Sequence, residues 1–194
     1  MPVYLRGLLF LAENGRESVS SRNLAELLGV NAWQIRKDFS YFGDFGTRGV
    51  GYEIKTLTSQ IKKILRLDIG RKIAVVGIGN LGSAVLAYRG FGIYGFAIAA
   101  AFDNDAKKIG KKTGNVEIED VANLGTLKRR KIDLAIITVP QDAAQATADR
   151  LVEAGIRAIL NFSPCYITVP KKVKVITIDI AMDLARLPYY MPTS

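Results

Sequence analysis

With 194 residues the chain has room for one large domain or two small ones, and its 49% hydrophobic and 23% charged residues are the balance of an ordinary globular protein. It has no histidine and one cysteine, Cys165, which removes His-ligated metal sites, the commonest general acid/base and any internal disulfide, argues against structural zinc and fits a reducing cytoplasm. The net charge of +9 favours an anionic partner, usually nucleic acid; no apolar run is long enough for a bilayer and no signal-peptide layout is visible, so neither membrane nor metal is expected.

Val3 to Ala12 is strongly apolar and reads as a first helix. Ser20 or Ser21 can cap a second helix, in which Leu24, Leu27 and Leu28 form an i, i+3, i+4 stripe and which Gly29 ends. Asn31 caps a third helix, Ala32 to Phe42, with Ile35, Phe39 and Phe42 predicted to face the core. Gln34, Lys37, Asp38 and Tyr41 lie on another face, flanked by Arg36 and Ser40. Gly43 to Tyr52 (GDFGTRGVGY) holds four glycines in ten residues and reads as a tight hairpin with Arg48 at its tip. Glu53 to Leu67 reads as a linking helix that buries Ile54, Leu57, Ile61, Ile64 and Leu65. Residues 1–67 are therefore expected to form a winged helix-turn-helix domain.

From residue 70 the pattern changes to short apolar strands alternating with helices. Lys72 to Val76, Phe96 to Phe102, Asp133 to Val139, Arg157 to Asn161 and Val173 to Asp179 read as strands, with helices after the first and from Gln141 to Ala154. Such alternation implies a Rossmann-type, doubly wound parallel sheet over residues 70–179, and an α/β protein overall. Residues 180–194 form a short apolar terminal segment. The basic clusters Lys107-Lys108 with Lys111-Lys112, Lys128 to Lys131 and Lys171-Lys172 read as solvated surface.

Gly77-Ile78-Gly79-Asn80-Leu81-Gly82 directly follows the first strand and precedes a helix. Gly77 permits a tight turn, Gly79 lets backbone approach a pyrophosphate, and Gly82 lets the helix pack close to the strand, with phosphates drawn to the helix N-terminus. Asp103 ends the second strand, 26 residues after Gly77, where a carboxylate can accept both ribose hydroxyls and repel a 2′-phosphate. That favours NAD(H) over NADP(H), although Lys107 and Lys108 weaken the preference slightly. The same motif also suits CoA, another nucleotide or no ligand at all. On the third helix, Arg36 and Lys37 can reach guanine and Gln34 can pair with adenine. Trp33 fits either a thymine methyl or a packing role. Arg48 on a glycine-rich tip suits a narrow A·T-rich minor groove.

Gln34 to Gly43, followed by Gly46-Thr47-Arg48-Gly49-Val50-Gly51-Tyr52, closely resembles the DNA-binding signature of the Rex redox-sensing repressors. The resemblance continues through Val76 to Gly82 and resumes at Phe102-Asp103, Thr138-Val139-Pro140, Gly155-Ile156 and Ile159 to Pro164, so it spans nearly the whole chain. It implies a homodimer that binds an A·T-rich inverted repeat in double-stranded operator DNA upstream of fermentation and respiration genes. NADH is the implied effector that releases the DNA; NAD⁺ is implied to bind more weakly and compete. The DNA contacts implied are Trp33, Gln34, Arg36, Lys37, Ser40, Tyr41 and Arg48. The cofactor contacts implied are the Gly77–Gly82 loop, Tyr88, Asp103, Thr138, Val139, Asn161, Phe162 and Ser163. The terminal helix is implied to be swapped between subunits, with Arg6 and Tyr88 as alternative partners for Asp179 of the other subunit. Pro188 departs from a continuous helix and is expected to end or kink it near Leu187.

An apolar nicotinamide pocket, with Phe162, Ile180 and Tyr88 as candidate walls, would favour neutral NADH over the NAD⁺ cation. The alternatives are an NAD-dependent oxidoreductase and a CoA-binding module. The first is weakened by the absence of histidine and by the lack of a substrate domain. The second leaves the N-terminal DNA-reading pattern without a role. The expectation is a cytoplasmic repressor, not an enzyme.

Overall fold

The computed structural model describes residues 1–43, 45 and 51–191. These form two compact units, Met1–Ile69 and Gly70–Ser194.

The first unit contains α1 (Pro2–Glu13), β1 (Ser18–Val19), α2 (Ser21–Leu28), α3 (Ala32–Phe42), β2 (Tyr52–Glu53) and α4 (Ile54–Ile64). Local chemistry sets these boundaries. Pro2 sits in the first turn of α1, where its missing N–H is no loss. The Asn23 N–H donates to Ser20 Oγ at 3.1 Å, and Gly29, at φ 64°, ends α2 in the left-handed region. The Trp33 N–H donates to Asn31 Oδ1 at 2.8 Å to start α3. The core is built from Leu5, Leu8, Leu24, Ile35, Phe39, Ile54, Leu57 and Ile61. α1 and α2 approach closely at Gly7, where a Cβ would lie 2.9 Å from Leu28 Cδ2.

Two expected core positions are exposed, Leu28, Ile64 and Leu65 are only half-buried, and α4 ends at Ile64, short of the expected Leu67. Leu27 is 42% exposed because the buried face of α2 centres on Leu24 and Ala25, which leaves Leu27 at its edge. Phe42 is 46% exposed at the last turn of α3, where its ring packs edge-on against Tyr41 instead. The expected glycine-rich hairpin falls mostly on Asp44 and residues 46–50, outside the described residues. β2, which follows it, pairs antiparallel with β1, with Val19 opposite Tyr52. Gly51, at φ 94°, allows this approach, since a Cβ there would meet Val19 O at 2.8 Å.

The second unit opens with β3 (Arg71–Val76) and α5 (Asn80–Ala87), followed by a 3₁₀ stretch at Arg89–Tyr94 and β4 (Phe96–Asp103). Then come β5 (Lys112–Thr113), β6 (Val116–Asp120), a second 3₁₀ stretch and β7 (Leu134–Ile137). α6 (Gln141–Glu153), β8 (Ala158–Asn161), β9 (Lys174–Thr177) and α7 (Ile180–Ala185) complete the unit, with a last 3₁₀ turn at Leu187–Tyr190. The seven-stranded sheet runs β5-β6-β4-β3-β7-β8-β9. All its pairings are parallel except β5 with β6. Central strands covered on both faces explain the near-continuous apolar runs of β3, β4 and β7. The β5–β6 edge hairpin was not anticipated, because β6 is short and acidic. Its signal is Gly114-Asn115, with Gly114 at φ 61°, a two-residue turn of the kind that joins antiparallel strands. α7 stops at Ala185 and Pro188 sits in the first turn of the 3₁₀ segment, as the proline demanded.

Candidate functional site

In the second unit, chain connectivity reverses at β3, whose neighbours β4 and β7 continue the sheet in opposite directions. At the carboxyl ends of these strands lies a cavity of about 640 Å³, the size of a small-molecule site. Gly77, Gly79, Leu81, Asp103, Thr138, Val139 and Phe162 line it. The glycines divide the work as their spacing suggested. Gly77 holds φ 93°, and a Cβ there would meet Val139 Cγ1 at 2.7 Å. At Gly82 a Cβ would lie 2.0 Å from Gly77 O, so α5 can begin this close to β3 only without a side chain. A Cβ at Gly79 would meet nothing within 4 Å: that position faces open space in the cavity wall, where a phosphate can approach the backbone. No side chain caps α5, which leaves its N-terminal dipole to the cavity. The Thr138 hydroxyl donates to Gly77 O at 2.6 Å and locks the loop from below.

Asp103 is buried, and its carboxylate is already occupied. Oδ2 accepts from the Ile78 N–H at 2.6 Å and from Lys108 Nζ at 3.2 Å, and Oδ1 accepts from the Asp105 N–H at 2.9 Å. Burial pushes this carboxyl up, but the Asp105 and Ile78 N–H groups and Lys108 outweigh it and hold its pKa below the ordinary carboxylate value. Asp103 therefore ties the glycine loop to the end of β4, and Oδ1 keeps a lone pair for a ribose hydroxyl.

Asn161 and Ser163 are buried beside the cavity without lining it. Asn161 Nδ2 donates to Ser163 O and Cys165 O, both at 3.0 Å, and its Oδ1 accepts from the Ser163 N–H at 2.9 Å. Ser163 Oγ donates to Val139 O at 2.6 Å. These bonds shape the turn that presents Phe162, which does line the cavity. The side chains of Ile78 and Asn80 are not part of the wall either. Tyr88 and Ile180 are exposed and outside it; the Tyr88 ring packs over Gly90 and edge-on against Phe91. The far end of the cavity, formed by Val121, Leu124, Ala143, Thr147 and Arg150, carried no sequence signal because such residues are generic.

In the first unit, Trp33, Gln34, Arg36, Lys37, Ser40 and Tyr41 are all exposed on α3, Tyr41 at 84%. Lys37 Nζ lies 4.9 Å above the Trp33 ring. Arg36 Nη1 donates to Ser21 Oγ at 3.0 Å and braces α3 against the start of α2. The Trp33 indole is exposed and is not part of the core of this unit. Arg48 lies outside the described residues. A feature the sequence did not reveal is a link from α1: the Tyr4 hydroxyl donates to Asp38, which also accepts from Gln34.

Arg6 is exposed on α1, and Asp179 caps α7, accepting from the Met182 N–H at 3.0 Å. Among the described residues no cluster of His, Cys, Asp or Glu could hold a metal, and no helix is long and apolar enough to cross a membrane.

A family model described as "CoA binding domain" matches residues 68–165, and one described as "Putative DNA-binding protein N-terminus" matches residues 1–40. The redox-sensing transcriptional repressor Rex of Chloroflexus aurantiacus is 46% identical over 192 residues, 98% of this chain and 91% of that protein. The Rex repressor of Carboxydothermus hydrogenoformans is also 46% identical, over 97% of this chain and 91% of its own length. Among solved structures, RSP in complex with β-NAD⁺ and operator DNA superposes with a TM-score of 0.91 at 40% identity, covering 97% of this chain and 88% of that one. RSP in complex with β-NADH gives 0.88 at 39% identity, with 97% and 89% covered. The CoA-binding description reaches only the sheet unit, whereas the repressors match through both units. With nearly half of all residues shared along almost the entire length, the chain belongs to the Rex family of redox-sensing transcriptional repressors.

Proposed function

We propose that this chain binds A·T-rich operator DNA as a homodimer when NADH is scarce and lets go when NADH occupies the β3–α5 cavity, with NAD⁺ a weaker competitor. It is a regulator and not an enzyme, as its relatives are. The observation that carries the reading is the glycine cradle: Gly77 and Gly82 are sterically required, yet Gly79 faces open space, as a phosphate-binding turn needs. Apolar Phe162, Val139 and Leu81 in the wall favour the neutral reduced nicotinamide over its cationic oxidised form.

Residues 1–67 serve as the DNA-binding domain, 70–179 as the NAD(H) domain and 180–194 as the dimerisation segment. Ile180, Met182, Leu184, Leu187, Tyr189 and Tyr190 are all exposed, and so much apolar surface on one short segment calls for a cover. A second copy that receives the segment by exchange supplies it. In the switch, Asp179 of one subunit pairs with Arg6 of the other in the DNA-bound state and with Tyr88 once NADH binds. A charged hydrogen bond exchanged for one of similar strength leaves a small gap that one ligand can tip. DNA as partner places the protein in the cytoplasm, with no membrane or metal involved.

The test is a labelled A·T-rich inverted-repeat duplex bound by the purified protein and titrated with NADH, NAD⁺, NADPH and CoA in turn. Release at the lowest concentration by NADH is expected. Release by CoA and not by NADH would support the CoA-binding reading, and no release by any of them would refute ligand control.

A further inference from the structure

α3 carries one acid among its exposed cations. Asp38 lies on a helix whose Arg36 and Lys37 would attract phosphates, and a carboxylate there works against that attraction. Both of its oxygens are engaged: Oδ2 accepts from the Tyr4 hydroxyl at 2.5 Å, and Oδ1 accepts from Gln34 Nε2, one helical turn earlier. Tyr4 is 6% exposed, with its ring edge-on to Phe39 at 5.3 Å, so the core sets the position of its hydroxyl. A chain of contacts thus runs from the core through Tyr4 and Asp38 to an exposed amide in the first turn of α3.

We propose that Tyr4 and Asp38 are positioning residues that fix the amide sense of Gln34 and make it a reader of adenine; this rests on α3 being the helix that enters the DNA groove. An ionised carboxylate only accepts, so it can face only the NH₂ side of Gln34. One N–H is consumed. The other N–H and Oε1 remain side by side, a donor and an acceptor that match N7 and N6–H₂ of adenine in the major groove. Guanine offers two acceptors there and would set its O6 against Oε1. Without the tie the amide is free to turn over, and the preference falls. The protonation states agree with these roles. The Tyr4 hydrogen bond is the main cause that draws Asp38 below the ordinary carboxylate range, while burial and Asp38 push the Tyr4 phenol up to about 12. At neutral pH Asp38 is an acceptor and Tyr4 a donor.

The experiment selects duplexes from a randomised inverted-repeat library with the full chain and with Gln34→Ala, Tyr4→Phe, Asp38→Ala and the Tyr4→Phe/Gln34→Ala pair. Affinities of the enriched duplex and its single base-pair variants are then titrated. Gln34→Ala is expected to flatten the preference for A·T at one position of each half-site. Tyr4→Phe and Asp38→Ala should flatten the same position by about fivefold or more and leave the others intact. The paired variant should lose no more there than Gln34→Ala alone. Tyr4→Phe keeps the ring against Phe39, so its affinity for an unrelated duplex should hold; a merely structural role would lower affinity for every duplex alike. A Tyr4→Phe profile equal to wild type where Gln34→Ala is flat overturns the relay and leaves DNA reading intact. Gln34→Ala with no flattened position overturns it as well. A wild-type chain that enriches no sequence overturns both the relay and the operator reading.

Discussion

Gly79 and Gly82 belong to one motif but answer to different forces. Alanine at Gly82 would drive a Cβ into Gly77 O, a backbone atom that cannot move without breaking the turn, whereas at Gly79 it meets nothing. Gly82→Ala is therefore expected to cost stability, about 1–3 kcal/mol as for other overpacked sites, and also to lose NADH. Gly79→Ala should melt near the wild-type temperature and lose NADH alone. Thermal unfolding with NADH calorimetry separates the two, and equal melting points would contradict the assignment. Asp103 adds a pH dependence. Its folded carboxyl titrates below the unfolded value, so its stabilisation is present above about pH 4 and is lost as pH falls through the folded pKa. Asp103→Asn should weaken NADH binding, leave operator binding in place and flatten the acid limb of the stability profile. An acid limb unchanged in the variant would show that other carboxylates dominate. The place of Asp103 at the end of the second strand was legible in the sequence. The grip of Asp103 on the Ile78 N–H was not, since it depends on where the loop returns over the end of β4.

At the scale of elements, caps and periodicity located α2 and α3 well, because Ser20, Gly29 and Asn31 act on groups within a few residues of themselves. Leu27 and Phe42 were misplaced because burial on a helix is decided by what packs opposite. β1 and the β5–β6 hairpin escaped because β1 and β5 are only two residues each and β6 is acidic where the other sheet strands are apolar. The exposed row on α3 makes its own prediction. Lys37→Ala should weaken binding to operator and unrelated duplex alike, with the salt slope shallower by about one unit, if the ammonium neutralises a phosphate. A drop confined to one base pair would instead make Lys37 a base reader.

For the whole molecule, the proposed switch links NADH in the second unit to DNA held by the first. Asp179 is the residue to test, and its helix-capping role must be separated from its charge. Asparagine caps a helix as well as aspartate, so Asp179→Asn should keep α7 and NADH binding yet leave operator affinity nearly insensitive to NADH. The ratio of operator affinities with and without saturating NADH checks this; a ratio equal to wild type would send the coupling elsewhere. By itself the sequence determined the two-unit plan, the parallel sheet, the glycine turn and the exposed polar face of α3. Each of these rests on local backbone sterics or on the period of apolar residues, which neighbours in the chain already specify. Only the tertiary structure decided that Asn161 and Ser163 point inward to shape the Phe162 turn, that Tyr88 and Ile180 stand outside the cavity, and that Tyr4 reaches Asp38. Those outcomes depend on groups far apart in sequence, whose meeting follows from the packing of whole elements and leaves no pattern along the chain.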